Sequence, residues 1–525
     1  MGAIDSSRSP EADFYRYALG AWQKKAATQL NEGRPYVDFS TEIMEDFDKT
    51  LESIFRSPSP QTPEGKLIAK MHRLLREGRR GQGLEPIRPL LDRILKARNS
   101  RDLSRAVGEM HRNGLRVGWA IWIMPSDYDA NTMALFVSRS RLSLDAPGRY
   151  FAANAAERKA GVGKVMASTF VKLGVPREEA DRATRMLLDT ETRMAAADRR
   201  YVDNPGAVPP KASNLQEMAA RFPNIDFGAY LHALRGRETK PPIVVQVPDT
   251  LDAINTLFAP TNLERLKLWL AWHVVKDMAV YLDDSIYEDH FRFFEAELKG
   301  VKTRPEPTVF ANEATRKLLP YPLVQEYARL KVDRRAIAKA KELAENMRET
   351  LIAELTTSTM FSDTAKKEAI AKARKLVISM GIPESFPNMR KVHLGDDLAL
   401  ATHVLAARRC SESWYIDQLG KKPVDRLRWP QIITPLTPEA VADPWRNFIG
   451  IGIPMLIPPN FTVDGDEAAN YGNLGCVIGH EMGHLFDSAG RFRDSDGNRR
   501  QWMEDEDVAK FDAQYRKLKA HIASY

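Results

Sequence analysis

Cysteine is nearly absent from this sequence: Cys410 and Cys476 are the two in 525 residues. Two cysteines so far apart exclude a disulfide framework and leave room for one bridge at most. Long apolar runs are missing as well. The longest, 448–459, is broken by Gly450, Gly452, Pro454 and Pro458, so no segment has the length of a membrane-spanning helix. The opening residues are polar, with none of the apolar stretch of a secretory signal. As written, the chain is expected to be cytoplasmic, with no membrane partner. A strong charge imbalance is lacking too: 77 Lys+Arg against 70 Asp+Glu give +7. Basic clusters such as Arg76-Glu77-Gly78-Arg79-Arg80 and Arg139-Ser140-Arg141 are short, without interleaved aromatics, and read as solvated faces. No nucleic-acid partner is expected.

What is present is an ordinary globular composition, 43% apolar and 28% charged, long enough for two lobes and a large core. Apolar residues recur at helical spacing over 177–199, 334–356 and 362–380. In the last of these Ala365, Ala369, Ala373, Leu376 and Val377 form one stripe, ended by Gly381 and Pro383. Strand-like stretches are few, at 117–124, 135–140 and 449–457. The fold class expected is mainly α with small β elements.

One segment carries chemistry. From Asn470 the sequence runs NYGNLGCVIGHEMGHLFDSAGR, with Leu474, Val477, Ile478, Met482 and Leu485 as a buried helix face and Gly490 suited to the helix C-terminus. Residues four apart on a helix lie one above the other, so His480 and His484 can aim two imidazoles at one metal ion. Glu481, offset by one position, can reach a water on that metal and act as general base. Asp487, near one turn past His484, can orient a ligand imidazole or bond local backbone. Cys476, flanked by apolar residues, is expected to be a small buried residue of the helix rather than a ligand. Zinc needs a third protein ligand. Glu504 stands at a spacing some HExxH enzymes use, but in an acidic run that reads as the solvated start of another helix.

The stretch 470–502 resembles the site helix and following turn of the neprilysin-like zinc metallopeptidases. So does Asp13-Phe14-Tyr15-Arg16-Tyr17 with Gly20-Ala21-Trp22 at the other end. Thr364-Ala365-Lys366-Lys367-Glu368-Ala369 with Gly381-Ile382-Pro383, then Gly420-Lys421-Lys422-Pro423-Val424-Asp425-Arg426 and Trp429, match in order between them. The resemblance implies a two-lobed fold: residues 1–40 packing on the catalytic lobe, a helical lobe over 41–395 covering the cavity, and a thermolysin-like catalytic lobe from 396 to 525. It also implies a zinc cofactor, His480 and His484 as ligands, Glu481 as general base and small peptides as substrates.

Three departures qualify it. Aligning Arg446-Asn447 and Pro458-Pro459 with the family's RN and PP sets Glu439-Ala440-Val441-Ala442 where the family binds substrate through NAxY. Glu439 cannot donate the hydrogen bonds of an asparagine amide. Glycines and a proline in Ile449-Gly450-Ile451-Gly452-Ile453-Pro454 weaken a strand that would pair with a peptide. The family's third ligand, the glutamate of GENxAD, has no counterpart in the 525 residues; the catalytic lobe is expected to be incomplete, with apolar surface exposed where the remainder would pack. The function expected is a zinc endopeptidase-like protein completed by a second polypeptide that supplies the third ligand. An inactive peptide- or protein-binding module is the alternative.

Overall fold

The computed structural model describes residues 4–31, 40–57, 60–202, 210–431, 433–487 and 490–523. The chain divides into two compact units, Met1–Ile54 and Phe55–Tyr525. The first holds the helix Phe14–Asn31 and all but the last residue of Ser40–Phe55. Asp5 organises its start, accepting from Ser7 Oγ at 2.5 Å and from Lys24 Nζ at 2.9 Å.

The second unit is a helical body with two small sheets. In one sheet β1 (Trp119–Pro125) runs antiparallel to β2 (Met133–Ser140), and β2 runs parallel to β3 (Ile243–Val245). The strands expected at 117–124 and 135–140 are met by β1 and β2. Around this sheet the helices Arg177–Val202 and Leu263–Met278 bury Leu187, Met194, Trp269 and Trp272. A carboxylate buried completely in this core is fully paired, as burial requires. Glu191 accepts from Ser143 Oγ and Trp269 Nε1 at 2.8 Å each, and from the Tyr150 hydroxyl at 2.5 Å.

The second sheet has the order β4-β6-β5, with β4 (Val377–Met380) parallel to β6 (Phe448–Ile451) and β5 (Ala440–Asp443) antiparallel to it. Two expectations change here. The helix expected over 362–380 stops at Lys375. Ser362 caps its start, and Ala365, Ala369 and Ala373 are fully buried as the stripe requires. Val377 and Ile378 instead take ladder bonds beside Phe448 and Ile449, where β-branched side chains suit a pleated surface. The strand expected at 449–457 ends at Ile451, and Ile453–Leu456 forms a 3₁₀ turn. That strand is central, so both its edges are already paired, and β4 and β5 lie at the borders. Gly450 does not weaken it idly: a Cβ there would sit 2.9 Å from the ring of Trp429, whose indole donates to Ser379 Oγ at 2.9 Å.

The reading of the basic clusters as solvated faces also needs correction. Arg76 and Arg139 are exposed, but Arg80 and Arg141 are half-buried. Arg80 donates to the Val280 carbonyl and lies 5.2 Å from the ring centre of Tyr287. Long side chains near the core cover apolar surface with their stems and stack their guanidinium groups. Among the described residues, no helix is long and apolar enough to cross a membrane.

Candidate metal centre

The site helix is assembled in three pieces. Asp466 caps a short helical segment, Glu467–Asn470, which runs through a π turn at Tyr471–Gly475 into the α-helix Cys476–Gly483. Its approach is pinned by Asn470, whose amide accepts from Thr462 N–H and donates to the Thr462 carbonyl, both at 2.9 Å. Leu474, Ile478, Met482 and Leu485 are buried, the face their spacing predicts, and Val477 is half-buried. This burial fixes the helix's rotation and with it where the histidines point.

His480 and His484 converge. Their Nε2 atoms are 3.0 Å apart and the rings meet edge to face. Asp487 places Oδ2 at 2.7 Å from His484 Nδ1 and accepts the Gly490 N–H on Oδ1 at 2.8 Å. A proton on Nδ1 is thereby held by the carboxylate, leaving the Nε2 lone pair free on the side facing His480. Asp487 thus contacts both the imidazole and the local backbone. Glu481 is 7% exposed, and burial pushes its carboxyl above the ordinary range, against the pull of His484 and His480. Among the described residues, His480, Glu481 and His484 form the one group of three metal-ligating side chains, with ligand atoms within 4.8 Å of one another. Two convergent imidazoles, one backed by a carboxylate, are the donor set zinc takes. The residues present fit that ion, two ligands of the three it needs.

Glu504 lies outside this group. It is the residue before the helix Asp505–Ile522, where its own N–H bonds Asp507 Oδ2 at 2.9 Å in a reciprocal cap. Glu504, Asp505 and Glu506 are the solvated helix start the acidic run suggests, whereas Asp507 is buried and accepts from Ser362. Cys476 is exposed, not buried. It sits two residues from Leu474 and from Ile478 on the helix, about 200° round from each, so the face that buries them turns it to solvent. Gly490 does not end the site helix, which stops at Gly483. It is instead the tight point of the returning chain, where a Cβ would fall 2.0 Å from the His484 carbonyl oxygen.

The positions aligned with the substrate segment border the same helix. Ala440 opens β5, which packs against the site helix and has one edge unpaired in its sheet. Glu439 is exposed, and its carbonyl accepts from Gly452 N–H at 2.9 Å. An unpaired strand edge offers main-chain donors and acceptors to an extended peptide.

Lys372 is a supporting residue that the sequence hid. It lies among Lys366, Lys367, Arg374 and Lys375, on what reads as a solvated face, yet it is 1% exposed. Its ammonium donates to the carbonyls of Leu485, Gly490 and Arg493 at 2.6, 2.9 and 2.7 Å. Burial, then the charge of Arg493, push it down to about 7. The backbone of Lys372 is held as well, its carbonyl accepting from Asn447 Nδ2 at 2.8 Å. Asn447 is buried with φ 49°, a left-handed conformation that asparagine tolerates better than most residues. Arg493 in turn forms a buried ion pair with Asp127. No local signal marks Lys372; only the carbonyls that Leu485, Gly490 and Arg493 bring to the helix Asp363–Lys375 reveal it.

The chain is similar to known proteins in sequence and in fold. Residues 10–383 and 439–525 match models of peptidase family M13. Neutral endopeptidase of Lactobacillus helveticus is 25% identical over 67% of this chain, a match spanning 52% of that protein. Endothelin-converting enzyme 1 of Homo sapiens is 24% identical over 100% of this chain and 70% of its own length. The chain therefore spans about half of the first relative and somewhat more of the second. The zinc metalloprotease Zmp1 of Mycobacterium tuberculosis, solved with an inhibitor, superposes with a TM-score of 0.78 at 22% identity, over 98% of this chain and 78% of that one. PepO from Lactobacillus rhamnosis superposes equally well, at 0.78 and 19% identity, over 96% and 80%. Helical bodies with small sheets are thus common to all three structures, and with both family models matched across most of its length the chain belongs to peptidase family M13, the neprilysin-like peptidases.

Proposed function

We propose that this chain is a zinc-dependent endopeptidase-like protein acting on small peptides, whose metal site is completed by a third ligand from another polypeptide segment. The observation that carries the reading is the convergence of the two Nε2 atoms at 3.0 Å beside a buried Glu481. Nothing in helix packing calls for two facing imidazoles and a carboxylate at that point, and Asp487 already orients one of them.

Zinc held between His480 and His484 would supply Lewis acidity, polarising a carbonyl and acidifying water. Glu481 takes a proton from the water that attacks the peptide carbonyl, then delivers it to the leaving amine. Its raised carboxyl pKa suits both halves of that task. The free edge of β5 aligns the peptide main chain beside the helix. A glutamate at position 439, in place of the family's asparagine, repels rather than clasps a carbonyl oxygen, and so favours a second reading. In that reading the chain binds peptides or a partner protein without cleaving them.

Metal content of the purified chain, alone and mixed with a polypeptide bearing a GENxAD segment, tests the proposal. The expected result is one zinc per complex in the mixture and weak binding by the chain alone. Glu481→Gln should keep the zinc and lose cleavage by about a hundredfold or more. Zinc in neither sample removes the peptidase reading and leaves the binding module. Tight zinc in the chain alone, lost in Glu504→Ala, would place the third ligand within it.

A further inference from the structure

A cavity of about 410 Å³ opens in the helical body, in a part of the fold the peptidase chemistry does not use. It lies where Arg116, just before β1, and Arg141, just after β2, approach the helices Leu263–Met278 and Asp284–Phe291. Lys276, Lys299, His273 and His290 add to its polar lining, as do the carboxylates of Asp145, Asp277 and Glu295.

The charges there do not cancel in pairs. Asp145 is taken by Lys276. Asp277 is taken by Arg408 at 3.0 Å and by the backbone N–H of Arg116 at 3.1 Å, and Glu295 by Lys299 at 2.7 Å. Glu412, close to both arginines, bonds Gln431 Nε2 at 3.0 Å and neither guanidinium. Among the described residues, Arg116 and Arg141 are left with no ion-pair partner for their side chains. Nε of Arg141 and Nδ1 of His290 are buried with no hydrogen-bond partner at all. A buried donor without a partner is destabilising, more so when charged, and two neighbouring guanidinium groups add mutual repulsion. Native cores seldom carry such a group without a ligand or ion to satisfy it.

We propose that this cavity binds a doubly charged oxyanion, a phosphoryl group above all, held between the guanidinium groups of Arg141 and Arg116 and the imidazole N–H of His290. Guanidinium forks match the oxygens of phosphate in geometry and charge. The cavity is larger than one phosphate, so it also accommodates the body of a small phosphorylated metabolite, for which Phe294 supplies an apolar wall.

Calorimetric titration of the full chain with inorganic phosphate, and separately with glycerol 3-phosphate, at constant ionic strength tests this. Saturable one-to-one binding is expected, weakened about tenfold in Arg141→Gln and several-fold in Arg116→Ala. Arg139→Ala, an exposed control with the same charge change, should bind as the parent does. The ring resonances of His290 should shift on titration in histidine-detected NMR. Tighter binding of the organic phosphate identifies a metabolite site, and tighter binding of the free ion a phosphate site. Arg116→Ala lies at the exposed rim and keeps the test open if Arg141→Gln fails to fold. Absence of saturable binding, equal loss in Arg139→Ala, or unmoved His290 resonances would overturn the proposal.

Discussion

Lys372 and Leu485 are 113 residues apart in sequence, yet the ammonium of one donates to the carbonyl of the other at 2.6 Å. That contact, one residue beyond His484, anchors the chain as it leaves the site helix. Replacing Lys372 by Met keeps the bulk but leaves the carbonyls of Leu485 and Arg493 without this donor, while that of Gly490 keeps the Arg493 N–H at 3.0 Å. A destabilisation of roughly 3 kcal/mol or more is expected, read as a lower denaturant midpoint at unchanged slope. An unchanged midpoint would mean that water replaces the ammonium.

Asp487→Asn separates orientation from folding. The amide oxygen can still accept from Gly490 N–H, so the turn should persist and the melting temperature should fall little. The charge on the far side of His484 disappears, and zinc affinity of the completed site should drop about 10- to 100-fold. Competition with a chromophoric chelator measures it. Equal affinity would reduce Asp487 to a turn residue.

Glu412 sets a pH dependence. It lies in the helix Leu400–Ile416, and burial pushes its carboxyl up to about 7 against the pull of Arg116, Arg408 and Arg141. The folded state then holds a proton that an unfolded glutamate releases near 4.5. The resulting stability is complete below about pH 4.5 and is lost as pH rises to about 7. Glu412→Gln keeps the uncharged form at every pH. It should match the parent at pH 4 and exceed it above pH 7 by roughly 3 kcal/mol. Denaturation curves at the two pH values check the sign; a variant equally shifted at both would refute it.

The helix Asp505–Ile522 carries Tyr515, Leu518 and Ile522 on one stripe, 53%, 57% and 64% exposed. Apolar stripes of this kind bind dyes and neighbouring molecules. Substituting the three by Gln should lower hydrophobic-dye fluorescence while moving stability by less than about 0.5 kcal/mol, since little area is buried there. A large loss of stability would show that the stripe is packed in solution.

Spacing alone determined much of this protein. Helical periodicity located the helices Arg177–Val202 and Arg334–Thr357 to within a few residues. The four-residue step from His480 to His484 set two imidazoles on one face, because the α-helical repeat is a local property of the backbone. The tertiary structure decided what local rules do not reach. It ended the helix Asp363–Lys375 early, because Val377 and Ile378 gain a partner strand 71 residues away in β6. It buried Lys372 among carbonyls that a different stretch brings to it, and turned Cys476 outward because four apolar neighbours already claimed the inner face. It also left the side chains of Arg116 and Arg141 facing one cavity with no ion-pair partner among the described residues. Such outcomes depend on which surfaces meet, and burial and unpaired charge exist only once they have met.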